Sequence, residues 1–448
     1  MKQRGDTTRM SDFVRAWMAE RRESRFPNVV TMAFFSPHSQ MVTLEQYSRT
    51  DLPKALLAND HRKAAEILAT ISHELTHWAD LVGTIWGRTF MKRVYQAFRL
   101  LPTPEKPPSE VDFPSFVDLH DEARRMTFPK YYQTVVEANQ PHSAAHPWQI
   151  GFSAGQEIDP LGRLDPTKPI LFVRFLDHKT GALLIRQPLT VGALLETTAV
   201  ASEYSVVRTY LEAKVPENQR TAMGDDVTKD ALSRLYAPSL TLYSAPVHLF
   251  AHYAGIKDAA LAYRQAATIA HICLNLCDDH FEGIKLPESM ALWANLYPAF
   301  KQRGDRAFAF AVICSNLEVW QDGIDETNWI DRALIRAGLP DRQSIIEQAT
   351  EVIAMHQPGG NGTPFDEAER YMLELGLLAA RGRSNNPAFS PMHAQSYMGV
   401  VPPMFDSEGE IYLFPNDKFE LTRFVPEAMI ELDWALYGYT RNLLSGCR

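Results

Sequence analysis

The chain has 448 residues, 45 Lys and Arg against 54 Asp and Glu, a formal net charge of −9, and 45% hydrophobic residues. An acidic balance without a sustained basic stripe argues against nucleic acid or an anionic membrane as partner, and no run approaches the roughly eighteen apolar residues that span a bilayer. The length suffices for a large core and two or three domains. Four cysteines are too few for a disulfide framework and point to a reducing compartment.

The first 26 residues are mildly basic, but they carry Asp6, Asp12, Glu20 and Glu23 and no apolar core. Neither a signal peptide nor a transit peptide is expected, which predicts a cytoplasmic protein or one exported without a cleavable signal. Asn28 to Phe35, a turn through Pro37-His38-Ser39, and Met41 to Leu44 predict a first β-hairpin. Asp60 to Thr84 contains no proline, and Ile67, Ile71, Leu75, Trp78 and Val82 recur at three- and four-residue spacing, which predicts an amphipathic helix. Asp60 suits its N-cap, and Gly83 or Gly87 its end.

The other face of that helix carries Glu66, Ala69, Thr70, His73, Thr76, His77, Asp80 and Thr84. Small and polar residues suit a cleft floor, although a plain solvated face is amphipathic too. Within it stands His73-Glu74-Leu75-Thr76-His77. Residues i and i+4 sit one above the other on a helix, so both imidazoles can face a single metal ion. Glu74 projects about 100° to the side, where its carboxylate reaches a bound water without ligating the metal.

Pro102, Pro104, Pro107, Pro108 and Pro114 predict a loop, since that density suits neither a helix interior nor a central strand. With its flanks, residues 86–168, it reads as an insertion; one alternative is that it covers the cleft of a latent protein until a partner displaces it. Pro169 to Ile185, rich in Ile, Leu, Phe and Val around Asp177-His178-Lys179-Thr180-Gly181, predicts a strand, a turn and a strand. Thr190 then caps a helix in which Glu196 and Glu203, seven apart, share one face.

His73 to Thr84, HELTHWADLVGT, resembles the active-site helix of the thermolysin-like zincins. The resemblance covers about a dozen residues. It implies a local zincin fold, with His73 and His77 as zinc ligands and Glu74 as catalytic base. Trp78 to Gly83 lacks the glycine and third histidine of the metzincin pattern, leaving the gluzincin solution of a glutamate on a later helix. Glu196 with Ala199 gives an ExxA pattern similar to that helix, which makes Glu196 the candidate third ligand. Glu203 is the alternative ligand, or a partner that fixes a histidine ring. Asp80 is a ligand in principle, but one turn past His77 it suits orienting an imidazole or facing solvent. The 119 residues from His77 to Glu196 depart from the much shorter thermolysin interval, and Val200 stands where those enzymes place an aspartate.

Lys214 to Asp230 is polar, with Pro216 and Gly224, and reads as a boundary. Helical periodicity follows in Ala259–Phe281, Asp305–Asp322, Asp341–Met355, Asp366–Arg381 and Pro426–Leu444, with a strand signal at Glu410–Phe414. His248 and His252 repeat the i, i+4 spacing without a glutamate and read as a half-buried structural pair. His120, between Asp118 and Asp121, reads as exposed. Cys273, Cys277 and Cys314 read as core thiols. One of His248 and His252, or Tyr204, Tyr210, Tyr243 or Tyr253, is expected to hydrogen-bond the developing oxyanion.

The expected fold is α+β and predominantly helical. Residues 1–215 form a zincin-like metallopeptidase domain with a small sheet beside the HExxH helix, and residues 216–448 a mainly helical domain that walls the cleft or contacts a regulatory protein. The expected activity is Zn2+-dependent hydrolysis of a protein or peptide by a metal-activated water, with Glu74 as general base. The alternative is a catalytically inactive or latent zincin-fold binding protein.

Overall fold

A computed structural model describes residues 32–446 apart from 105, 129, 137–141, 159–162, 361, 385–399 and 414–417. The basic first 26 residues, the Asn28 end of the first hairpin and Cys447 lie outside the described residues. The architecture is α+β and predominantly helical, with two four-stranded sheets among the described residues. The strands are β1 (Phe34–Ser36), β2 (Met41–Thr43), β3 (Thr134–Val135), β4 (Gln149–Ile158), β5 (Leu164–Leu176), β6 (Leu183–Pro188), β7 (Met404–Phe405) and β8 (Ile411–Tyr412).

The motif helix runs His61–Gly83, and Asp60 caps it by accepting the Lys63 amide at 3.0 Å. It stops where Thr84 turns extended. Thr84 then caps a second helix, Ile85–Leu100, by accepting the Gly87 amide at 3.1 Å. Gly87 belongs to that second helix: a Cβ there would stand 2.1 Å from the Leu81 carbonyl oxygen, so the bend between the helices depends on its bare Cα.

Ile85–Leu100 opens the stretch expected to be an insertion, yet Phe90, Met91, Val94 and Tyr95 are fully buried in the core that also holds Trp78 and Val82. The proline-rich segment after it is largely irregular, as expected. Pro114 instead opens a helix, Phe113–Thr127, where a missing N–H is harmless.

The first sheet has the order β1-β2-β7-β8. β1 and β2 form the foreseen hairpin, and β2 then pairs in parallel with β7 through Val42↔Met404 and Thr43↔Phe405. Both hairpin strands pack beside the motif helix. The second sheet has the order β3-β6-β5-β4. Its β5–β6 turn closes through Asp177 N to Ala182 O at 2.9 Å, with Gly181 at φ +68° supplying the left-handed residue.

β6 leads into the helix Val191–Lys214. Thr190 caps it by accepting the Ala193 amide at 3.1 Å, and it packs along the motif helix. Gly192 lets its first turn approach Met126, whose carbonyl oxygen would lie 1.9 Å from a Cβ.

Residue 215 marks no seam in the packing. One core joins Val173, Phe175 and Leu194 to Phe250, Ile269, Phe310 and Trp329; another joins Trp78 and Phe90 to Met372, Phe405 and Ile430. The polar boundary is itself a helix, Glu217–Leu235, in which only Ala231 and Leu235 are buried. Its polarity is that of a solvated helix face. Two further helices lie outside the stretches of predicted helical periodicity: Thr241–Ala254, which contains Pro246, and Glu326–Arg336. No helix among the described residues is long and apolar enough to cross a membrane.

Candidate metal centre

Packing of the helix His61–Gly83 against Val191–Lys214 faces His73 and His77 toward Glu196. His73 Nε2 lies 3.1 Å from His77 Nε2 and 3.1 Å from Glu196 Oε2, and His77 Nε2 lies 3.7 Å from that same oxygen. Two ligand atoms of a tetrahedral ion bound at 2.0–2.1 Å are separated by roughly 3.3 Å, so this triangle has the dimensions of one tetrahedral face. Glu196 Oε2 is buried, with the Nε2 atoms of His73 and His77 as its polar neighbours. These three side chains can hold a metal ion.

The other nitrogen of His73 is already committed, since Nδ1 stands 2.5 Å from Glu203 Oε1. A carboxylate there accepts a hydrogen bond from Nδ1–H and leaves the Nε2 lone pair for a metal. Arg234 Nη1 approaches the second oxygen of Glu203 at 3.8 Å. His77 has no equivalent support, and its Nδ1 is buried without a hydrogen bond.

Glu74 is 7% exposed and receives the Phe35 amide of β1. Burial pushes its carboxyl up to about 7; the Glu196 and Glu203 charges add to the rise, while a charged His73 and the Phe35 amide oppose it. Burial lowers His77 to about 4. At His73 burial also works against charge, but hydrogen bonds to Glu196 and Glu203 outweigh it and hold the ring well above its ordinary value. Glu196 is held below the usual range, its own burial being overcome by the two histidines.

The remaining candidates separate clearly. Asp80 is not among the converging atoms: it is fully buried, and its Oδ2 accepts Thr198 Oγ1 at 2.7 Å, joining the two site helices. Glu203 supports His73 and does not join the triangle. Tyr210 pairs with His61 Nδ1 at 3.1 Å, Tyr204 packs on Tyr263, and Tyr253 stacks on Phe152. His248 is buried with Nε2 2.9 Å from the Leu235 carbonyl, His252 is exposed, and the pair forms no ligand set. His120 is exposed. Cys273 and Cys314 are buried, whereas Cys277 is half-buried at the N-cap of Asp278–Gly283.

Tyr243, one of four tyrosines the sequence left equivalent, is singled out by its field. The charge of Glu196 first, then burial, then Glu74 and Glu203, push its phenol well above the ordinary value. The Phe35 amide escaped sequence reading altogether, since no side-chain pattern marks a backbone donor.

No family model, no curated protein and no solved structure matches this chain.

Proposed function

We propose that the protein is a zinc-dependent peptidase with a zincin-like, gluzincin-type centre. The observation that carries this reading is the convergence of His73 Nε2, His77 Nε2 and Glu196 Oε2 at tetrahedral spacing, with Glu74 on the same helix as the histidines. Two imidazoles and one carboxylate are a donor set that suits zinc, and three protein ligands leave one position open, as catalytic zinc sites do. When bound, zinc supplies Lewis acidity toward a substrate carbonyl and acidity to water.

The chain's own residues supply the rest. Glu203 fixes the His73 ring through Nδ1. Glu74, held by the Phe35 amide, takes a proton from the attacking water and returns it to the leaving nitrogen. Tyr243, kept protonated, donates a hydrogen bond to the carbonyl oxygen as charge develops there. β1 is an edge strand of its sheet and packs on the motif helix, so an extended peptide can add to it by main-chain hydrogen bonds. The substrate class is therefore a protein or peptide.

Chelation tests this reading. Treatment with phenanthroline should abolish cleavage of a proteome-derived peptide library, and Zn2+ should restore it. Cleavage that survives complete metal removal contradicts the reading.

A further inference from the structure

A second set of metal-ligand side chains lies outside the site helices, where the β5–β6 turn meets the loop that enters β4. His142, Asp177 and His178 bring ligand atoms within 4.8 Å of one another. The two oxygens of Asp177 are divided in their work. Oδ1 accepts the Lys179 amide at 3.0 Å, the Thr180 amide at 2.7 Å and Thr180 Oγ1 at 2.9 Å. Oδ2 faces His142 Nε2 at 3.5 Å, close to the roughly 3.3 Å edge of a tetrahedral zinc site.

The His142 side chain is only 4% exposed, and its Nε2 makes no well-aligned hydrogen bond beyond the long contact to Asp177; both ring nitrogens of His178 are buried and unpartnered. Polar atoms withdrawn from water in this way are costly unless something occupies their lone pairs. The His146 ring, exposed, lies 5.1 Å from that of His178 between centroids.

We propose that His142, Asp177 and His178 hold a second divalent transition-metal ion of the zinc type, a structural clip joining the 142–148 loop to the β5–β6 turn. Two imidazoles and one carboxylate favour zinc-like ions over magnesium or calcium. The clip also positions a core residue. His142 stacks on Trp148 at 5.7 Å, and Trp148 packs against Phe175, Tyr236 and His248. An ion here fixes the entry to β4 against the larger core, and the inference stands apart from any peptidase activity.

The test counts zinc on the full chain after loading and desalting, with affinity by titration. His73→Ala with His77→Ala removes the first centre, and this variant should keep one zinc. Adding Asp177→Asn preserves the Oδ1 acceptor but presents an amide in place of Oδ2, and should weaken that zinc about a hundredfold or more, since even outer partners of metal ligands are worth 10–100-fold. If the double alanine variant does not fold, wild type and Asp177→Asn alone are compared: one zinc site per chain should weaken about a hundredfold or more, whether or not the first centre binds. Equal zinc affinity at every site in the presence and absence of Asp177→Asn, or no zinc on the folded double alanine variant, overturns the proposal.

Discussion

His73 Nδ1 meets Glu203 Oε1 at 2.5 Å, while the ring's Nε2 faces the point shared with His77 and Glu196. Glu203 thus fixes the orientation of the His73 ring by accepting from its Nδ1–H. Glu203→Ala should weaken zinc binding about 10- to 100-fold, and Glu203→Gln, which keeps an acceptor, should lose less. Competition against a chromophoric chelator measures both. Equal affinity in wild type and Glu203→Ala removes this role.

Asp80 gives the contrasting case. Its buried carboxylate accepts Thr198 Oγ1 across the interface of the site helices. Asp80→Ala should therefore destabilise the fold by about 1–3 kcal/mol, the cost of breaking a buried hydrogen bond to a charged group. Zinc stoichiometry should stay at the wild-type value in the folded variant. Urea unfolding and metal analysis read the two effects separately, and loss of zinc with unchanged stability counts against this assignment.

Stability should fall in mild acid because of His248. Burial lowers its pKa in the folded chain to about 4 from an ordinary 6.5. Above pH 6.5 the ring is neutral in both states and contributes no pH dependence. Between pH 6.5 and 4 the unfolded chain takes up a proton that the folded chain refuses, so folding weakens as pH drops, by on the order of 3 kcal/mol in all. Below pH 4 both states are protonated and the loss stops growing. Urea midpoints at pH 7 and pH 4.5 should differ less for His248→Gln than for wild type, and identical differences contradict the assignment.

Gly376 lies on the helix Pro364–Ser384, where a Cβ would stand 1.8 Å from the Val82 carbonyl oxygen of the motif helix. That carbonyl is backbone, so the two helices must separate. Gly376→Ala should cost about 1–3 kcal/mol or more, as overpacking does, and lower the thermal midpoint. A midpoint within error of wild type shows that the crossing is looser than described.

Local chemistry made the site legible in part. The Asp60 and Thr190 caps and the apolar spacing of the motif helix are short-range signals, and both helices appear with those caps in place. The pairing of Val42 with Met404 is not local: strands of three and two residues from distant parts of the chain carry no mutual mark. Glu217–Leu235 escaped because periodicity reveals a helix only when one face is buried, and here almost nothing is. His142 and His146 repeat the i, i+4 spacing in a loop, and Asp177-His178 stands in a turn. Their convergence depends on the sheet that brings β4 beside β5.

The central claim is that Glu74 works as the base beside a zinc ion held by His73, His77 and Glu196. The most direct measurement follows zinc content and peptide-library cleavage in wild type and in Glu74→Gln, which keeps the side-chain shape and removes the base. The account predicts cleavage by wild type and equal zinc in both proteins, with cleavage by the folded variant reduced at least about a hundredfold, the lower range for a positioned general base. A folded, zinc-loaded Glu74→Gln that cleaves as fast as wild type contradicts it.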